Sequence, residues 1–147
     1  MSLSVEGFDE LFNTLDSLGN VGKKVGVKAV RGATKTALKS LKRYAPKKSG
    51  KGGEALKVIS VKSYKSGSVW GKAGIDKTNW EETKHLWFQN YGYDVGKTHV
   101  TKHVGWVERA FQECKKDAQK EMIDIISTEI DNALRWYKHE RVNRKYP

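Results

Sequence analysis

The sequence contains little cysteine and little proline, and it has no long apolar run. Its one cysteine, Cys114, excludes an intrachain disulfide and a cysteine-rich zinc site. Two prolines in 147 residues exclude a proline-rich linker protein. No stretch approaches the roughly 18 apolar residues of a membrane helix, and the first ten residues lack the pattern of a secretory signal. The composition, with 37% hydrophobic residues, therefore predicts one basic domain of the intracellular type.

The net charge of +11 is concentrated in one third of the chain. Residues 1–20 carry four acids and no lysine or arginine, whereas residues 21–72 carry 15 lysines and arginines against the single acid Glu54. Such a segment fits contact with phosphates or with an acidic partner, and it equally fits a solvated helix face followed by a loop. The candidate contacts with DNA or an acidic partner are Lys47, Lys48, Lys51, Lys57, Lys62 and Lys65.

Apolar periodicity predicts an α+β fold with N-terminal helices, a β-hairpin and a long C-terminal helix. Helices are expected at residues 5–18, 21–44, 80–91 and 104–137, and strands at residues 56–64 and 69–75. Because two strands alone leave unpaired edges, we expect the hairpin to be extended into a small antiparallel sheet, by strand pairing within the protein or between subunits, with the last helix packed on it. The first helix would present Phe8, Leu11, Phe12, Leu15 and Leu18.

Residues 1–140 are predicted to form one domain, with a flexible basic loop at residues 47–54 and a frayed basic tail at residues 141–147. The last predicted helix would be on the order of 50 Å long, which exceeds the width of a compact domain of this size. Part of that helix should project from the domain or pack on another subunit.

The sequence contains no convergent set of catalytic or metal-binding residues. His99 and His103 have the spacing of two zinc ligands on a helix, but neither a glutamate between them nor a third ligand nearby completes the motif. Cys114 lies on the apolar face of the long helix and is expected to be a small core residue. The glycines of residues 50–53 follow a helix and precede a strand, the reverse of a phosphate loop. We therefore expect no enzyme activity, no cofactor and no metal.

Six aromatic residues fall within 27 positions, and they suit either a core or an interface. Trp87 or Phe88 is expected to be buried in the domain, and one of the other rings to be buried only in an assembly. The candidate interface residues are Trp80, Trp87, Tyr91, Tyr93 and Trp106.

The order of several short motifs resembles that of the head–tail joining proteins, also called tail-completion or minor structural proteins, of long-tailed bacteriophages and prophages. Residues 7–11, Gly-Phe-Asp-Glu-Leu, match the family's first-helix element. Residues 44–50, Tyr-Ala-Pro-Lys-Lys-Ser-Gly, resemble its Ala-Pro helix end, although the family more often has Asp-Thr-Gly after the proline. Residues 87–93 keep the aromatic residues and the glycine of the family's Glu-aromatic-Gly-Thr segment, but they lack its acid and its threonine. Residues 105–111 stand where the family has Pro-Phe-Leu-Arg-Pro-Ala, with both prolines replaced.

The resemblance covers residues 5–130 and implies a noncatalytic virion assembly protein that completes the head–tail interface. Several copies would form a ring at the neck or tail end and contact connector, tail-tube or tail-terminator proteins. The protein would be a homo-oligomer in the particle, with a monomeric free form allowed, and would occur in the virion neck or tail and in the host cytoplasm during assembly. The genome would pass through the ring, where lysines could meet DNA. The alternative is a basic nucleic-acid-binding protein that uses residues 21–72.

Overall fold

The computed structural model describes residues 19–47, 51–65 and 68–145, without the side chains of residues 20, 51, 136–138 and 140–145. The helices are α1 (Asn20–Tyr44), α2 (Lys51–Ala55), α3 (Trp80–Tyr91) and α4 (Trp106–Lys145). The strands are β1 (Lys57–Ser63), β2 (Val69–Gly74), β3 (Tyr93–Val95) and β4 (Thr98–Val100). The α+β class is confirmed. The helix expected at residues 5–18, the motif at residues 7–11 and Lys48 lie outside the described residues.

Helices α1 and α4 run antiparallel and make the most extensive contact between elements. The Ser40 hydroxyl near the end of α1 donates to the Ala110 carbonyl near the start of α4 at 2.6 Å, and Lys28 pairs with Glu129 toward the other ends. Each helix buries every fourth residue, many of them small, which is the pattern of packing along i±4 ridges. The buried residues in these rows are Val25, Ala29, Ala33, Ala37 and Leu41 on α1, and Trp106, Ala110, Cys114, Ala118, Met122 and Ile126 on α4.

Strands β1 and β2 form an antiparallel hairpin in which Lys57 lies opposite Gly74 and Ser63 opposite Val69. The hairpin packs on α1 through Gly71, where a Cβ atom would lie 2.0 Å from the Thr34 hydroxyl oxygen. Extension of this hairpin within the chain is not seen in the described residues, where the hairpin remains two-stranded, and pairing between subunits stays a prediction. Strands β3 and β4 pair only with each other, with Tyr93 opposite Val100. Packing of one face on α1 therefore stabilises the hairpin in place of a third strand.

Three parts of the predicted layout differ clearly from the structure. Residues 51–54, expected in a flexible loop, lie in the short helix α2, and Leu56 directly after this helix is 1% exposed and belongs to the core. Helix α4 begins two residues later than expected, because residues 101–105 form a turn with Gly105 at φ 77°. At its other end α4 continues to Lys145, through most of the expected tail.

Candidate interaction surface

Two buried asparagines hold α3 between the hairpin and α4. The Asn79 Nδ2 group donates to the carbonyls of Ala55 and Gly74 at 2.9 and 2.8 Å, and its Oδ1 accepts the Asp76 N–H at 2.8 Å. At the other end, Asn90 Oδ1 accepts the N–H of Val107 at 3.1 Å in the first turn of α4. These bonds satisfy donors and acceptors that burial removes from water, so they determine which face of α3 turns inward.

Only a narrow face of α3 packs against the rest of the protein. Several aromatic side chains of this helix therefore lie wholly or partly on the surface. Only Thr83, Leu86 and Asn90 of α3 are buried. Trp87, Phe88 and Tyr91 are 37%, 44% and 57% exposed, and Trp80 is half-buried against the core. We call Trp80, Trp87, Phe88 and Tyr91 the aromatic patch.

The rings of the aromatic patch contact one another. The centroid of Trp87 lies 6.0 Å from that of Trp80, 5.4 Å from that of Phe88 and 4.7 Å from that of Tyr91. The Trp80–Trp87 and Trp87–Phe88 pairs are edge-to-face, an arrangement that the ring quadrupoles favour. Trp87 thus contacts each of the other three rings of the patch.

A hollow lies on each side of the patch. One, of about 380 Å³, is lined by Trp80 and Trp87 together with Ile75, Asp76 and Lys77. The other, of about 220 Å³, is bordered by Tyr91 and has Trp106 and Phe111 in its wall. Rigid rings flanked by concave apolar surface are the usual form of a protein-binding anchor.

The structure sorts the aromatic candidates into surface and core. Trp106 is wrong as an interface residue: it is 1% exposed, and its indole N–H donates to the Leu86 carbonyl at 2.9 Å. Tyr93 is half-buried, and its hydroxyl accepts a hydrogen bond from Gln89 at 3.3 Å. The expectation that Trp87 or Phe88 is buried is also wrong, since both are exposed. Spacing alone did not distinguish them, because α3 could have turned any of its aromatic positions inward.

The described basic candidates are all exposed. Lys57 and Lys62 lie on β1, Lys65 lies in the turn after it, and Lys47 follows α1. Lys51 lies at the start of α2, with its side chain outside the described set. Sequence reasoning did not single out the lysines of α1 as contacts, although their spacing of three and four residues was visible.

Asp76 lies at the edge of the first hollow, and its neighbours lower the pKa of its carboxyl group. The Thr78 hydroxyl donates to Asp76 Oδ1 at 2.5 Å, and this bond lowers the pKa of Asp76 below its ordinary value. The Thr78 N–H and the charges of Lys57 and Lys72 act in the same direction. Asp76 is therefore held as a carboxylate beside the aromatic patch.

The remaining candidates for chemistry are dispersed. His99 lies on β4, where its Nδ1 is 2.6 Å from the Asp94 carboxylate, and His103 lies in the turn before α4. Cys114 is buried as expected, and burial raises the pKa of its thiol. Gly52 of the glycine-rich stretch lies against the imidazole of His85. Within the described ranges, no three histidine, cysteine or acidic side chains are grouped to hold a metal ion.

Comparison with known proteins yields no match: no family model, curated protein or solved structure is similar to this chain. None of the helices in the described ranges has the length and apolar character needed to span a bilayer.

Proposed function

We propose that this chain is a noncatalytic assembly protein of a long-tailed bacteriophage or prophage, which completes the head–tail interface by self-assembly and by docking to neck or tail proteins. The single observation that carries the proposal is the aromatic patch. Contiguous exposed rings beside apolar hollows are typical of surfaces that a partner covers. The kind of assembly is inferred from the order of motifs along residues 5–130, which resembles that of the head–tail joining proteins.

The dimensions of α4 support a role in assembly. Its 40 residues span about 60 Å, compared with about 37 Å for α1. The pairing of Lys28 with Glu129 places Asn20 level with about residue 137, so the end of α4 extends roughly 12 Å past the start of α1. Leu134, near this end, is 53% exposed. An extended helix with exposed apolar residues offers a second contact for neighbouring copies.

The test measures binding of the purified chain to connector, tail-tube and tail-terminator proteins encoded by neighbouring genes. Trp87→Ala is expected to weaken docking at least about 30-fold, because a central aromatic anchor typically contributes 2 kcal/mol or more. Trp70→Ala is the matched control: Trp70 is 50% exposed but lies on β2 of the hairpin. Docking should change by less than about threefold in that variant.

The same samples are followed by light scattering after size-exclusion chromatography. We expect ring-sized particles when a docking partner is added. A chain that stays monomeric and binds none of these partners contradicts the proposal, as does a turnover reaction abolished by one substitution in folded protein. Neighbouring genes without virion morphogenesis functions would also contradict it.

A further inference from the structure

Helix α1 carries a row of positive charges on one face, which we call the basic stripe. Its residues follow one another at intervals of four or three positions: Lys24, Lys28, Arg31, Lys35, Lys39 and Lys42. At about 100° per residue, all six fall within an arc of about 80°. This arc is centred about 160° away from the buried alanines of α1, so the stripe lies opposite the core.

All six side chains of the basic stripe are exposed, and α1 contains no acidic residue. Lys28 forms a salt bridge with Glu129 of α4. The other five form no salt bridge with any described acidic side chain. Five like charges on adjacent turns repel one another, and a bound polyanion would remove that repulsion.

We propose that the basic stripe binds the phosphate backbone of double-stranded DNA without reading its sequence. The stripe is about 27 Å long, which is the length of about eight base pairs. Five of its six residues are lysines, which act as point charges on phosphates, whereas readers of base edges rely on arginine. The stripe contains no aromatic residue on which unpaired bases could stack, and this favours a duplex over a single strand.

Acidic side chains of α4 lie along one side of the basic stripe and limit the directions from which DNA can approach it. Gly32 lies between the stripe and α4, and the Glu121 side chain comes within 3.4 Å of the position of a Cβ atom at Gly32. Glu121 and Glu129 thus place negative charge along the α4 side, which would repel phosphates. A duplex is therefore expected to contact the outer surface of α1. The contact needs one copy of the chain, so it is independent of ring assembly and of the aromatic patch.

The experiment titrates the full chain with a duplex of about 30 base pairs of arbitrary sequence while salt is varied from about 50 to 200 mM. Five unpaired cations predict a slope of about −4.5 for the logarithm of the binding constant against the logarithm of salt concentration. The triple variant Arg31→Gln, Lys35→Gln, Lys39→Gln should make the slope shallower by about 2.7. Lys35→Gln alone should make the slope shallower by about 0.9. This single variant keeps the test valid if circular dichroism shows that the triple variant is misfolded.

The matched control is Lys57→Gln, Lys62→Gln, Lys65→Gln, which removes the same charge from the exposed hairpin. Its slope should differ from that of the unmodified chain by clearly less than about 0.9, the change expected for a single residue of the stripe. The proposal is overturned if the duplex does not bind at the lowest salt, or if the control loses as much slope as the stripe variant. It is also overturned if single-stranded DNA binds more tightly, or if polyglutamate competes equally well per charge, which would indicate an acidic protein partner.

Discussion

At the residue scale, buried polar side chains position the aromatic patch. Asn79 is 4% exposed, and all three of its side-chain hydrogen bonds go to backbone groups on α2, β2 and the turn before α3. Thr83 is fully buried, and its hydroxyl donates to the Asn79 carbonyl at 2.6 Å. In the described residues no buried side-chain nitrogen or oxygen lacks a partner. Replacing one of these groups should therefore cost more than its volume suggests.

Asn79→Asp tests this directly, since it preserves shape and replaces the amide donor with a negatively charged oxygen. A carboxylate oxygen would face the Ala55 and Gly74 carbonyls at the 2.9 and 2.8 Å now spanned by hydrogen bonds. The expected loss in unfolding free energy is about 3 kcal/mol, measured by urea denaturation. Asn132→Asp, at an exposed position of α4, should change it by less than about 0.5 kcal/mol. Equal stability of the two variants would contradict the role of Asn79.

The titration of Asp76 gives a second prediction. Thr78→Val removes the hydroxyl bond that most lowers the pKa of Asp76, so that pKa should rise toward its ordinary value of 3.8 in a carboxyl NMR titration. A depressed folded-state pKa stabilises the protein above the unfolded value, and this contribution disappears as pH falls through the folded value. Thr78→Val should thus be less stable than the unmodified chain near neutral pH, with the gap closing as pH falls below 3.8 and through the lowered folded-state pKa of Asp76. Thr101→Val should leave the Asp76 titration unchanged.

At the element scale, the contact between α1 and α4 depends on small side chains. Ala29, Ala33 and Ala37 face Ala110 and Ala118 across the antiparallel pair, and a Cβ atom at Gly32 would lie 2.4 Å from Ile125 Cδ1. Such residues let the helix backbones approach closely and leave little free volume between them. The hairpin approaches α1 in the same way at Gly71.

Ala118→Leu tests the close approach of the helices. Ala118 is fully buried, so the larger side chain must displace α1 or adopt a strained rotamer, at an expected cost of about 1–3 kcal/mol. Gln112→Leu, at an exposed position of α4, introduces the same side chain without crowding and should change the unfolding free energy by less than about 0.5 kcal/mol. If thermal denaturation shows equal melting temperatures, the interface has space that the structure does not show.

At the scale of the whole molecule, α4 determines the shape. A compact domain of 147 residues has a radius of gyration of about 15 Å, whereas a helix of 40 residues is about 60 Å long. The aromatic patch on α3 and the basic stripe on α1 are separate surfaces, so one chain can present both to different molecules. An elongated molecule with two such surfaces suits a component of a larger assembly.

Small-angle X-ray scattering on the monomer peak of a size-exclusion column tests the shape. The maximum dimension should be at least about 60 Å, and the radius of gyration should exceed about 15 Å. A maximum dimension near 40 Å would mean that α4 is broken or folded back in solution.

The sequence by itself determined the approximate positions of α1, α3, α4 and the first hairpin, because these depend on local periodicity and on turn residues. Helix α3 was predicted at residues 80–91, its observed bounds, and the spacing of three and four residues correctly placed Cys114 on a buried face. Only the tertiary structure decided which rings are covered. Trp106 is buried because Leu86, 20 residues away, supplies the carbonyl that its indole needs, while Trp87 next to Leu86 points outward.

The buried asparagines and the two-stranded hairpin could not be predicted from the sequence for the same reason. Nothing within a few residues of Asn79 indicates that the carbonyl of Ala55, 24 positions earlier, comes within hydrogen-bonding distance. Likewise, the hairpin is stabilised by α1, whose Thr34 precedes Gly71 by more than 30 residues. Local spacing specifies elements and their apolar faces, whereas burial and hydrogen bonding of single side chains depend on long-range contacts that exist only once α1, α3 and α4 have packed together.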